Sequence, residues 1–144
     1  VWPLGHIAPK DWDKVMAVNV TANWRLIRSL DPLLRLSDAG RAVFLTSGAA
    51  HRIRAYWGPY AVSKAALEAM VVTWARESEI TPIKANLLNP GPLRTAMRAQ
   101  AMPGEDAATL DRPDVLLPAV MRLLSPALEI SGRVWDHPTG DWLA

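Results

Sequence analysis

Tyr60 and Lys64 stand four residues apart in the stretch PYAVSKAALEAM. On a helix, positions i and i+4 share a face, with Cβ atoms about 5–6 Å apart. An ammonium at that distance favours a phenolate, the form in which a tyrosine takes a proton from a substrate hydroxyl; in the reverse direction the phenol returns it to a carbonyl oxygen. Two polar side chains on a solvated helix face share this spacing, so the neighbours of the pair decide its meaning. Ser47 closes the apolar run RAVFLTS, Arg41 to Ser47. In a parallel α/β sheet ligands sit beyond the carboxyl ends of the strands. Ser47 is therefore a candidate donor to the oxygen that Tyr60 protonates, or else a plain strand-end cap. Asn19, in MAVNVTANW, is a mediocre helix former because its side chain competes for backbone groups. It is either a satisfied amide or a kink that holds a water near Lys64.

The segment NPGPLRT, Asn89 to Thr95, follows another apolar run. Pro90 and Gly91 force a turn there. Gly91 lets a flat ligand approach the backbone, and Thr95 offers a hydroxyl to an amide or phosphate. Arg94 and Arg98 lie just beyond and could meet a phosphate. Trp57 sits three residues before Tyr60 in the loop HRIRAYWGPY and could wall a substrate, whereas His51, Arg52 and Arg54 read as solvated. The seven tryptophans otherwise read as packing residues.

Alternating helices and strands must position these groups. From about Pro9 a helical pattern carries Val15, Val18, Ala22, Leu26 and Leu30 as one apolar stripe. Pro9 suits its first turn. A strand at Arg41–Ser47, a long helix from Gly58, a strand in IKANLLNPG, a helix over Asp111–Ser125 kinked at Pro118, and a last strand in GRVWD follow. The pattern predicts an α/β fold: a parallel sheet with right-handed crossovers in a single domain, residues 1–144.

Composition narrows the function. Half of the 144 residues are hydrophobic, about a fifth are charged, and the net charge is +2. There is no long Lys/Arg run of the kind that tracks nucleic acid, and no apolar run of the ~18 residues needed to span a bilayer. Cysteine is absent, and His6, His51 and His137 have no ligand spacing, so neither thiolate nor zinc chemistry is expected. A cytoplasmic location is expected.

Asn19, the strand-end Ser47, YAVSK with Tyr60 and Lys64, and NPGPLRT resemble, in order and spacing, the short-chain dehydrogenase/reductase family and its classical subgroup. The resemblance implies a Rossmann-like doubly wound sheet and hydride transfer between NAD or NADP and an alcohol or ketone. It implies that Tyr60 is the general acid/base and that Lys64 supports it and binds the nicotinamide ribose. Ser47 would polarise the substrate carbonyl, and Asn19 would hold a water in a relay behind Lys64. Pro90 and Gly91 would line the nicotinamide pocket, with the Leu93 backbone and the Thr95 side chain on the carboxamide or diphosphate. It further implies a homodimer or homotetramer, built on the helices of Asn19 and Tyr60. The family's glycine-rich TGxxxGxG loop is not in this sequence. With the start at Val1 rather than Met, this leads to the expectation of the C-terminal half-plus of such an enzyme. The alternative is a catalytically inactive fragment or an oligomerising subunit. Sugar-nucleotide epimerases share Tyr-x-x-x-Lys but carry a larger substrate domain than the residues after Tyr60 allow.

Overall fold

The computed structural model describes residues 3–143; Val1, Trp2 and Ala144 lie outside them. Its strands are β1 (Arg41–Leu45), β2 (Lys84–Asn89), β3 (Val134–Asp136) and β4 (Asp141–Trp142). The helices are α1 (Pro9–Met16), α2 (Ala22–Leu36), α3 (Gly58–Glu77), α4 (Ala96–Ala101) and α5 (Leu117–Leu123). The sheet order is β1-β2-β3-β4, with β1, β2 and β3 parallel and β4 antiparallel to β3. Phe44 pairs with Leu87, and Leu87 with Val134.

Side chains on a strand alternate between faces, and here the alternation separates two cores. Ala42, Phe44, Ala85, Leu87 and Val134 meet Leu67, Val71 and Trp74 of α3, with Ile27 and Leu34 of α2 alongside. Val43, Leu88 and Trp135 meet Leu116, Leu123 and Leu128 on the opposite face, with Val120 of α5. The sheet is therefore covered on both sides, as the doubly wound expectation requires. The crossovers correct one detail. The β1–β2 and β2–β3 connections step the same way across the sheet but cover opposite faces, so they have opposite hands. One of them departs from the right-handed rule.

The first long helix also differs from its pattern. α1 and α2 run on through a π-helical segment, Ala17–Thr21, whose flanking residues keep right-handed helical dihedrals. Asn19 lies inside this widened turn. Val18, Leu26 and Leu30, members of the expected apolar stripe, are exposed, and Ile27 and Leu34 face the core instead. Strand β1 has β2 as its neighbour and stands at one end of the sheet, with Leu45 54% exposed.

Towards the C-terminus, the helix expected over Asp111–Ser125 is a 3-10 turn, Pro113–Leu116, followed by α5. Pro118 falls in the first turn of α5 rather than kinking a longer helix, because a first-turn residue needs no intrahelical N–H bond. Strand β4 was not expected from the sequence; its two residues are too few to show a period. Among the described residues no helix is long and apolar enough to cross a membrane.

Helix α2 is fastened to α3 by Asp31, which accepts hydrogen bonds from Trp74 Nε1 and Arg35 Nε, each at 2.7 Å. The Arg35 guanidinium is the main cause that holds the Asp31 carboxyl below its ordinary value. A folded pKa below the unfolded one adds stability above about pH 4 and loses it as pH falls through the folded value. Asp31→Asn is expected to lower stability at pH 7 by up to about 1 kcal/mol, with the difference closing in strong acid. Calorimetry at both pH values measures this, and a difference that persists unchanged in acid would contradict it.

Candidate active site

Lys64 is the hinge of the site. Its Nζ donates to Leu45 O at 2.9 Å and lies 5.7 Å from the centre of the Tyr60 ring. The four-residue spacing on α3 thus turns both side chains toward the carboxyl end of β1. Burial, the larger influence, pulls the Lys64 ammonium below the ordinary lysine value, and the carboxylate of Glu68 pushes it back up. An ammonium has three donors, so Lys64 keeps two after its bond to Leu45.

Ser47 lies two residues past the end of β1, in extended backbone. Its Oγ accepts from Ala49 N at 3.2 Å and caps the 3-10 turn Gly48–Ala50. The capping role and a donor role coexist, because a hydroxyl that accepts this bond still has its proton to give. Trp57 packs edge-on against Tyr60 with ring centres 5.9 Å apart. It follows Tyr56, whose φ of 70° lies in the left-handed region that non-glycine residues rarely occupy.

Asn19 reaches the same helix from behind. Its Nδ2 donates to Ser63 Oγ at 3.0 Å, and Ser63 Oγ donates to Tyr60 O at 2.8 Å. The Asn19 backbone carbonyl accepts from Asn23 Nδ2 at 2.9 Å. The first turn of α3 is braced through the Asn19 Nδ2 group.

The Pro90–Gly91 turn joins the site through Asn89, which is buried at the end of β2. Asn89 Oδ1 accepts from Gly48 N at 3.1 Å and from Gly91 N at 3.2 Å, and its Nδ2 donates to Asp136 Oδ1 at 2.5 Å. One amide thus ties together the ends of β1, β2 and β3. Gly91 has φ 70°, and a Cβ there would meet Pro138 Cγ at 2.6 Å. The left-handed backbone and the nearby Pro138 both call for glycine at this position. Leu93 packs into the core around Leu88. Thr95 Oγ1 accepts from Arg98 N at 3.1 Å and caps α4. Arg98 is held by Glu105 at 2.6 and 2.7 Å, and Arg94 bonds Ala108 O.

Hydrogen bonds therefore link all four sequence motifs at one edge of the sheet. Sequence reasoning did not single out Asn89, Ser63 or Glu68 for a role. The available signals were a polar amide closing an apolar strand and a carboxylate one turn beyond Lys64.

A family model described as enoyl-(acyl carrier protein) reductase matches residues 3–116. The chain belongs to the short-chain dehydrogenase/reductase family. It is 43% identical over 141 residues to the uncharacterized oxidoreductase YciK of Escherichia coli (strain K12), covering 97% of this chain and 56% of that protein. A short chain dehydrogenase from Salmonella enterica serovar Typhi superposes with a TM-score of 0.90 at 39% identity, covering 94% of this chain and 56% of that one. A short chain dehydrogenase from Escherichia coli CFT073, its structure complexed with NADPH, gives 0.89 at 40% identity, covering 94% and 57%. The chain spans about half the length of the relatives it matches.

Asn89→Asp keeps the size of the side chain, removes the donor to Asp136 and sets two carboxylates together. It is expected to cost about 2 kcal/mol or more at neutral pH. Denaturant unfolding measures this; unchanged stability would contradict the role given to Asn89.

Proposed function

We propose that this chain carries the acid/base half of an oxidoreductase that interconverts a small alcohol and a carbonyl compound with NAD or NADP. The observation that supports this reading best is the Lys64 ammonium, bonded to the end of β1 and set beside Tyr60. A bound nicotinamide supplies or accepts the hydride. In the direction of reduction, the Tyr60 hydroxyl gives its proton to the carbonyl oxygen as negative charge develops there. Lys64 stabilises the phenolate left behind. Ser47 donates its free hydroxyl proton to the same oxygen and favours the charged transition state over the neutral carbonyl. Asn19 keeps the first turn of α3 in place through Ser63, and in this reading it also holds a water behind Lys64. Trp57 supplies an apolar wall for the substrate.

Lys64 has two N–H groups free for ribose hydroxyls, and in this reading the Pro90–Gly91 turn, the Leu93 backbone and the Thr95 hydroxyl would serve the ring and its carboxamide. Residues for the adenosine end are not among these. The solved NADPH complex of the E. coli relative favours NADP over NAD. Exposed Val62, Ala65 and Ala69 give α3 a small-residue face suited to close helix packing, which favours a homodimer or homotetramer.

In protein expressed from the complete reading frame containing this chain, Tyr60→Phe is expected to reduce carbonyl-dependent NADPH oxidation by about 10²-fold or more, with NADPH still bound. Spectrophotometric turnover with a panel of aldehydes and ketones tests it. Activity within a few-fold of the parent would remove Tyr60 as the acid.

A further inference from the structure

Tyr60 and Lys64 are followed on α3 by a third polar residue at the same spacing, Glu68. It is only 9% exposed, beside the fully buried Leu67 and Val71. A carboxylate so buried needs hydrogen-bond partners. It has two, and they flank Ser47. Thr46 Oγ1, from the residue before Ser47, donates to Glu68 Oε1, while His51 Nε2 lies 2.8 Å from Oε2. His51 comes directly after the 3-10 turn that Ser47 caps. Lys64, one turn back, bonds Leu45 O on the other side of Thr46.

We propose that Glu68 is a positioning residue for the acid/base site: by clasping Thr46 and His51 it holds Ser47 against the helix of Tyr60 and Lys64, and it keeps a carboxylate one turn behind the Lys64 ammonium. This rests on the reading of Tyr60 and Lys64 given above. Thr46, between Leu45 and Ser47, has its own N–H bonded to Leu88 O at 2.9 Å, so the clasp ties α3 to the inner edge of the sheet. A structural salt bridge alone would need only one partner on one loop. Here the two oxygens divide between a strand end and the loop it feeds, so the segment that carries Ser47 is held on both sides of it. The titratable groups facing the carboxylate are Lys64 on its own helix and His51 from the 48–51 segment; the β1 end presents the neutral Thr46. The negative charge favours the Lys64 ammonium, so its removal lets Lys64 lose a proton at lower pH.

The test uses Glu68→Gln and Thr46→Val in protein from the complete reading frame. Glu68→Gln keeps size and one acceptor but removes the charge. Expected results are a kcat about tenfold lower with little change in KM for NADPH, and an alkaline limb of the kcat profile displaced to lower pH. NMR titration of the Lys64 side chain should move the same way, whether or not Tyr60 is the acid. Thr46→Val keeps the charge, so kcat should fall while the Lys64 titration stays in place. An unmoved Lys64 titration in Glu68→Gln would overturn the proposal, as would parental kcat in Thr46→Val. If Glu68→Gln does not fold, Thr46→Val decides by its kcat alone. Activity surviving Tyr60→Phe would remove the acid/base reading, and the Lys64 titration would still decide the part played by Glu68.

Discussion

The site depends on one buried amide. Asn89 closes β2, and its side chain holds the ends of β1, β2 and β3 at once. Its carbonyl oxygen takes two backbone N–H groups, from Gly48 after Ser47 and from Gly91 in the Pro-Gly turn. Its amide nitrogen gives to Asp136, whose other oxygen accepts from Thr139 at 2.9 Å. Loops at strand ends would otherwise carry unsatisfied backbone donors away from water. Satisfying them with one residue sets Ser47, Pro90 and Gly91 in a common frame.

The helix face completes that frame from the other side. Tyr60, Lys64 and Glu68 recur every four residues, so one stripe of α3 lies along Leu45, Thr46 and the loop after Ser47. Asn19 braces the first turn of the same helix through Ser63. Sheet amide and helix stripe therefore oppose each other across the Ser47 loop. The geometry that the proposed proton transfer requires comes from these neutral and charged bonds together, since the exposed edge of β1 offers little packing at that end.

Much of this was legible in the sequence. The apolar runs at Arg41–Leu45 and Lys84–Asn89 are strands because apolar side chains fill both faces of a covered sheet. Tyr60, Lys64 and Ser47 were legible because spacing on a helix and position at a strand end are local properties. Other features needed the fold. The face that the first long helix presents to the core was misread, since Val18, Leu26 and Leu30 repeat like core residues yet stand exposed. Pro118 looked like a break because its place in a first turn depends on the preceding 3-10 turn. The partners of Glu68 are 22 and 17 positions away in the chain, and those of Asn89 lie in the turn after Ser47, the Pro-Gly turn and the end of β3, so neither constellation has a local pattern. The opposite hands of the crossovers follow from which face α5 covers, which no short stretch encodes.

The most direct measurement is a crystal structure of the protein from the complete reading frame, with NADPH and an unreactive carbonyl analogue bound. The account predicts Lys64 Nζ within hydrogen-bond distance of the nicotinamide ribose, and Tyr60 Oη and Ser47 Oγ both on the carbonyl oxygen. A nicotinamide bound away from Lys64, or a carbonyl oxygen held by neither hydroxyl, would contradict it.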